Sequence, residues 1–166
     1  MVKKLNSMRF LESEGVSYDV IGFPETIHSA RDVAAYVGVA MSDVYKTLVL
    51  MTANNTPILV MIPANHDLQV KRLAQVIGDK KLRMATHKEA EAVTGLKVGG
   101  ISALALRHRR FPVYLAHPAT NLDRLLLSAG QRGVDLRLKV TDLMRLTRAI
   151  LVGVTISKPR CCPGNP

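Results

Sequence analysis

The sequence has no tryptophan, only four tyrosines and three phenylalanines, and two cysteines, in a chain of 166 residues. With aromatics at 4% against 48% hydrophobic residues overall, a core must be built from aliphatic side chains. The cysteines are neighbours, Cys161 and Cys162, in the ending "KPRCCPGNP". That placement offers neither a disulfide framework nor metal-ligand spacing, so a reducing compartment is the expectation and no metal or cofactor is expected. No apolar run approaches the ~20 residues that span a bilayer, and Lys3 and Lys4 are not followed by the apolar stretch of a signal peptide. The expected address is the cytoplasm, with no membrane partner. Catalytic signatures are also missing: there is no G-x-S-x-G elbow, no H-E-x-x-H and no P-loop.

Acidic residues are scarce relative to basic ones, 13 against 23, for a formal net charge of +10. Such a field draws in polyanions. Ten of the basic residues fall between positions 71 and 110, against only Asp79, Glu89 and Glu91 there. Lys71, Arg72, Lys80, Lys81, Arg107, Arg109 and Arg110 belong to this stretch; it reads either as a landing surface for a phosphate backbone or as a solvated face.

The length suits one domain, assigned to residues 1–157, with 158–166 as a loose Pro-rich tail. The apolar pattern predicts a helix over 3–14, a strand over 16–21, and a helix capped by Ser29 and running through Val37. "DVYKTLVLMT" and "PILVMIPA" predict two strands around an "ANNTP" turn. Amphipathic helices are expected over 68–77 and 87–94, with "KKLRMA" as a short strand between them. "FPVYLA" reads as a strand and "DRLLLSAGQRGVDLRLKV" as two strands around a glycine-containing loop. A short helix capped by Thr141 and a closing strand "AILVGVTI" complete the fold. Roughly seven strands and four or five helices in irregular alternation exclude a plain doubly wound sheet and favour a mixed, curved sheet flanked by helices.

Three segments carry chemistry. In the first, Lys46 shares a strand face with Val44, Leu48 and Leu50, while Thr47 looks the other way. A lysine there either protects a sheet edge or is kept to hold a phosphate or carbonyl oxygen, with the Thr47 hydroxyl as a second donor. In the second, "VGGIS" (98–102), Gly99 and Gly100 allow close backbone approach and N–H groups aimed at an oxyanion, or simply make a turn. In the third, "SAGQRGVD" (128–135), Ser128 and Asp135 stand at facing strand ends, placed to bracket an amine or hydroxyl. Among the five histidines only His28, in the loop before the second helix, lies where a pocket would use it.

In order and at these separations, "YKTLV", "TGLKVGGIS" and "SAGQRGVD" resemble the YbaK/EbsC family of aminoacyl-tRNA editing domains, relatives of the editing insertion of prolyl-tRNA synthetase. The likeness runs from about residue 5 to about residue 155. It implies an α/β fold with a mixed sheet curved toward a barrel, and a pocket for the 3′ aminoacyl-adenosine of mischarged tRNA. The implied activity is trans-editing hydrolysis of that ester, Cys-tRNA(Pro) first, with tRNA and prolyl-tRNA synthetase as partners. Rival readings are an adaptor of the same fold that binds tRNA or a synthetase with weak turnover, and a basic module unrelated to tRNA.

Residue by residue, the resemblance puts the family's lysine on Lys46 with Thr47 beside it, its glycine donors on Gly99 and Gly100 followed by Ser102, its pocket serine and aspartate on Ser128 and Asp135, and an aromatic wall on Phe23. Where the family has proline and glycines, this chain has Ala103, Ala105 and Ala129. That change bears on the rim of the pocket and on which amino acid is accepted.

Overall fold

A computed structural model describes residues 3–27 and 29–158. Its organising element is a hairpin of β2 (Tyr45–Met51) and β3 (Pro57–Pro63) in antiparallel register, Tyr45 opposite Pro63 and Met51 opposite Pro57. The expected turn closes it: Thr52 N–H donates to the Thr56 carbonyl at 3.0 Å, and Asn55 N–H to the Thr52 carbonyl at 2.9 Å.

β3 has almost no polar face because it is central. On its far side it runs parallel to β6 (Val113–Ala116), and β6 runs parallel to β9 (Ile150–Val152). Parallel pairing requires crossovers that cover both faces of a sheet, so both faces of such a strand must be apolar. The short β5 (Arg83–Met84) adds to the other edge of β2, but only at Leu50 and Met51. The five-stranded mixed sheet therefore has the order β5-β2-β3-β6-β9.

Side-chain alternation divides the core. Leu50, Ile58, Val60 and Ile62 pack on one face with Leu73 of helix α3 (Val70–Ile77). Tyr45, Val49, Leu59 and Met61 pack on the other with Leu125, Leu127, Leu136 and Leu138. Those leucines belong to a second sheet, β1-β8-β7, made by β1 (Asp19–Gly22) and the long hairpin of β7 (Arg124–Gln131) and β8 (Val134–Lys139). A parallel bridge between Val44 and Leu126 links the two sheets. A third cluster, including Val33, Ala34, Val44 and Ala64, seats α2 (Ala30–Val37) beside that bridge.

The mixed α/β architecture agrees with expectation in its helices. Those are α1 (Asn6–Ser13), α2, α3, α4 (His87–Thr94) and α5 (Val140–Thr147). Ser29 caps α2, accepting from Asp32 N–H at 3.1 Å. The strands depart further. They number ten among the described residues and fall into three sheets rather than one ring, so no closed barrel is found.

Two departures share a cause. Leu68, expected to open a helix over 68–77, instead ends the unexpected strand β4 (His66–Leu68), and the closing strand splits at Gly153 into β9 and β10 (Thr155–Ser157), which pairs with β4. Both follow from partners about 90 residues apart, which a local pattern does not reveal. Thr141 lies inside α5 rather than capping it, because the preceding Val140 N–H is taken by the Asp123 carbonyl at 2.9 Å and the helix starts two residues earlier, with Lys139 at the cap position. No helix among the described residues is long and apolar enough to cross a membrane.

Candidate active site

Because β5 reaches only Leu50 and Met51, the outer edge of β2 is open between that pairing and the Val44–Leu126 bridge. A cavity of about 290 Å³ lies against this gap and is lined by the whole run from Val44 to Leu48. The ladder fixes which backbone groups face it. Ala64 N–H donates to the Val44 carbonyl on the β3 side, and Ala85 N–H to the Val49 carbonyl on the opposite side. With a period of two, the N–H and C=O of Thr47 turn toward the open edge, as those of Val49 do.

Lys46 is half-buried and lines the cavity from the face that also holds Leu48 and Leu50. Burial pushes its ammonium below the ordinary lysine range. The nearby charge of Lys158 adds to the fall and Asp67 opposes it. Lys158 lines the same cavity and sits 3.5 Å from Asp67. The adjacent Thr47 hydroxyl oxygen is buried with no hydrogen-bond partner among the described residues. A neutral donor without an acceptor and a cation short of counter-charge both favour an incoming oxygen-rich group.

Ser128 and Asp135 stand directly opposite each other in the β7–β8 register, next to the irregularity between Ser128 and Gln131, and both line the cavity. Ser128 Oγ accepts from Gly130 N–H at 3.2 Å. Asp135 is 6% exposed, and burial raises its carboxyl to about 7. Phe23 forms part of the wall, its N–H held by the Gly133 carbonyl at 2.9 Å.

Of the glycine pair, Gly99 lines the cavity at φ +92°, and its N–H meets no acceptor among the described residues. Gly100 does not line it, and its N–H donates to the Lys97 carbonyl at 2.8 Å. The expected donor role therefore moves off Gly100, whose need for glycine is steric: a Cβ there would lie 2.8 Å from Arg132 N. Ser102 is likewise corrected. It is fully buried, and its hydroxyl accepts from Ala105 N–H at 3.3 Å, closing the turn rather than facing the cavity.

Ala103 and Ala129 are buried in the main core and, with Ala105, are absent from the cavity wall, so the departures from the family pattern act on packing behind it. His28 lies outside the described residues, as does nearly all of the 158–166 tail.

The basic stretch does not form one surface. Lys71 and Arg72 ride on α3, on the sheet face that Lys46 shares, and Lys80 and Lys81 follow that helix. Arg107 and Arg109 occupy a 3-10 turn, with Arg110 just beyond it, after Leu106, which packs on the opposite face. Two of these arginines are already engaged: the Arg107 guanidinium lies 4.4 Å from the Phe10 ring centroid, and Arg109 donates to the Val93 carbonyl at 3.2 Å.

Sequence reasoning missed Arg31 and Lys158 as cavity-lining residues. No local signal marks Lys158, which reaches the site through the pairing of distant strands.

A family model described as an aminoacyl-tRNA editing domain matches residues 24–146. The chain is 34% identical over 155 residues to a protein of Enterococcus faecalis named as a candidate Cys-tRNA(Pro)/Cys-tRNA(Cys) deacylase, EbsC, covering 92% of this chain and 94% of that one. It is 32% identical over 89 residues to the proline–tRNA ligase of Thermodesulfovibrio yellowstonii, covering 54% of this chain and 15% of the ligase. A solved structure described as a candidate trans-editing enzyme for prolyl tRNA synthetase matches with TM-score 0.80 at 22% identity, covering 93% of this chain and 100% of the other. At that identity the likeness speaks to the fold.

Proposed function

The chain belongs to the aminoacyl-tRNA editing domain family, and on that premise we propose that its cavity receives the aminoacyl end of a mischarged tRNA and hydrolyses the ester, with Cys-tRNA(Pro) as the first substrate. The observation that carries this is Lys46: a cation half-buried in an apolar strand, its proton weakened by burial, lining one cavity with a Thr47 hydroxyl and a Gly99 amide that have no partner among the described residues. These are three donors with no acceptor among the described residues, and the end of a charged tRNA brings phosphate, ester and ribose oxygens. The name of the Enterococcus relative supports the substrate.

In this proposal Lys46 holds the terminal phosphate or the ester oxygen, gaining the counter-charge that the strand lacks. Water adds to the ester carbon, the bond to the ribose 3′-oxygen breaks, and that oxygen takes a proton. The negative charge that develops on the carbonyl oxygen meets the Gly99 N–H. Among the described residues no hydroxyl of the wall is hydrogen-bonded to a side-chain base, so in this proposal the rate comes from positioning and from the substrate's own 2′-hydroxyl or, for cysteine, its thiol. Asp135 and Ser128 bracket the α-amino group, and Phe23 packs on the adenosine side. Lys71 and Arg72, on the Lys46 face, lead the contact with the tRNA backbone, with prolyl-tRNA synthetase as the docking partner. A cavity of about 290 Å³ suits a small side chain, though one methylene changes selectivity by only about 1–3 kcal/mol.

The test is ester loss from Cys-, Ala- and Pro-charged tRNA(Pro), with Lys46→Ala alongside. Turnover of Cys-tRNA(Pro) that Lys46→Ala abolishes is expected. Binding without turnover would replace the enzyme with an adaptor, and rapid turnover on a 2′-deoxy terminal adenosine would remove the hydroxyl route.

A further inference from the structure

We propose that Arg132 is the positioning residue for this site, locking the peptide plane that presents the Gly99 N–H and polarising it. The inference deepens the reading of the cavity as an ester-hydrolysing site and rests on it.

The carbonyl of Val98 and the N–H of Gly99 belong to one peptide unit. In a planar trans peptide these two groups point in opposite directions. Arg132 Nε donates to the Val98 carbonyl at 2.6 Å. Arg132 is absent from the cavity wall, whereas Val98 and Gly99 both line it. Holding the carbonyl from behind therefore aims the N–H of the same unit away from Arg132.

The neighbouring bonds fix the rest of the loop. Val98 N–H is held by Glu91 Oε1 at 3.0 Å, and Gly100 N–H by the Lys97 carbonyl at 2.8 Å. Gly99, at φ +92°, sits between them in a conformation open to glycine, and such a residue offers little resistance to a peptide flip. The Arg132 bond supplies that resistance. Gly100 makes it possible, since without a Cβ the loop approaches the Gln131–Arg132 backbone closely enough for the bond to form.

Charge adds to geometry. Among the described residues no carboxylate lies within ion-pair distance of Arg132. Its guanidinium acts on the Val98 carbonyl through this charge-assisted bond, and a polarised carbonyl makes the N–H of the same peptide a stronger donor.

The experiment compares Arg132→Met and Arg132→Lys with wild type by steady-state deacylation of Cys-tRNA(Pro) and by the ¹H–¹⁵N resonance of Gly99. Arg132→Met is expected to lower kcat about 10²-fold, the scale of losing one oxyanion donor, while KM changes less than about 2-fold. Its Gly99 amide signal is expected to move upfield and broaden as the plane is released. Arg132→Lys, which keeps the charge and one donor, is expected to recover part of kcat and to serve if the methionine variant does not fold.

A loss confined to KM, steep in salt and fully rescued by lysine, would make Arg132 a phosphate contact and overturn the proposal. An unchanged Gly99 signal in both variants would overturn it whatever the kinetics. If wild type releases no amino acid from any charged tRNA, the hydrolytic reading fails, and the amide signal still decides whether Arg132 holds the plane.

Discussion

Replacing Asp135 with asparagine turns the burial of one carboxyl into a measurable slope. In the native protein burial holds this group at about 7, against 3.8 for an unburied carboxyl. Between those two values the native state keeps a proton that the unfolded chain has released. Stability falls with pH wherever the native state binds more protons, so the contribution of Asp135 is unaltered below about 3.8, declines as pH rises, and levels off above about 7. Three units at 1.36 kcal/mol each set the full decline at about 4 kcal/mol. Asparagine has nearly the same shape and no titration, so it removes this slope and leaves every other carboxylate untouched. Urea melts of both proteins at pH 4, 5.5, 7 and 8.5 give the difference directly. The variant is expected to gain on wild type by up to about 4 kcal/mol between pH 4 and 8.5, most of it between pH 5 and 7. A difference that stays flat would mean that Asp135 titrates alike in the folded and unfolded chain, and one that favours wild type increasingly at high pH would mean that it is ionised and partnered in the native state; either result would refute the burial argument.

Three further outcomes follow from geometry. Gly100→Ala forces a Cβ to 2.8 Å from Arg132 N and 2.9 Å from the Gln131 carbonyl carbon, both backbone atoms; a loss of about 1–3 kcal/mol is expected in denaturant melts, together with reduced deacylation. Thr86→Ala removes the hydroxyl that accepts from Glu89 N–H at 3.1 Å in the α4 capping box, for a loss of about 1 kcal/mol by thermal melt with kcat unchanged. Charge reversal at Lys71 and Arg72 is expected to raise KM for charged tRNA and flatten its salt dependence, whereas reversal at Arg107 and Arg109, on the other face, is expected to leave KM near wild type.

What was legible in the sequence was whatever the chain encodes locally. The α2 boundaries follow from Ser29 and Gly38, and the β2–β3 hairpin follows from two apolar runs around Asn-Asn-Thr-Pro. The position of Lys46 beside a cavity follows from a cation set among residues that belong in a core. What was not legible depends on distant partners. His66–Leu68 is a strand because Thr155–Ser157 pairs with it, and Lys158 reaches the cavity by the same pairing. Adjacent basic residues in the chain separate onto two faces because Leu73 and Leu106 pack on opposite sides of one sheet. The glycine pair shows the limit most sharply. "VGGIS" announces a donor loop, but only the bonds around it reveal that Gly99 offers the N–H while Gly100 offers room.

The most direct measurement follows the Lys46 ammonium itself. With the lysine side chains isotopically labelled and Lys46 assigned by loss of its signal in Lys46→Arg, the protein is titrated with a non-hydrolysable 3′-aminoacylamido adenosine 5′-phosphate. The predicted result is a saturable shift of the Lys46 signal, a rise in its pKa as it gains a counter-anion, and a concurrent shift of the Gly99 amide. A Lys46 signal that stays still at saturation, while surface lysines such as Lys80 respond, would contradict the account.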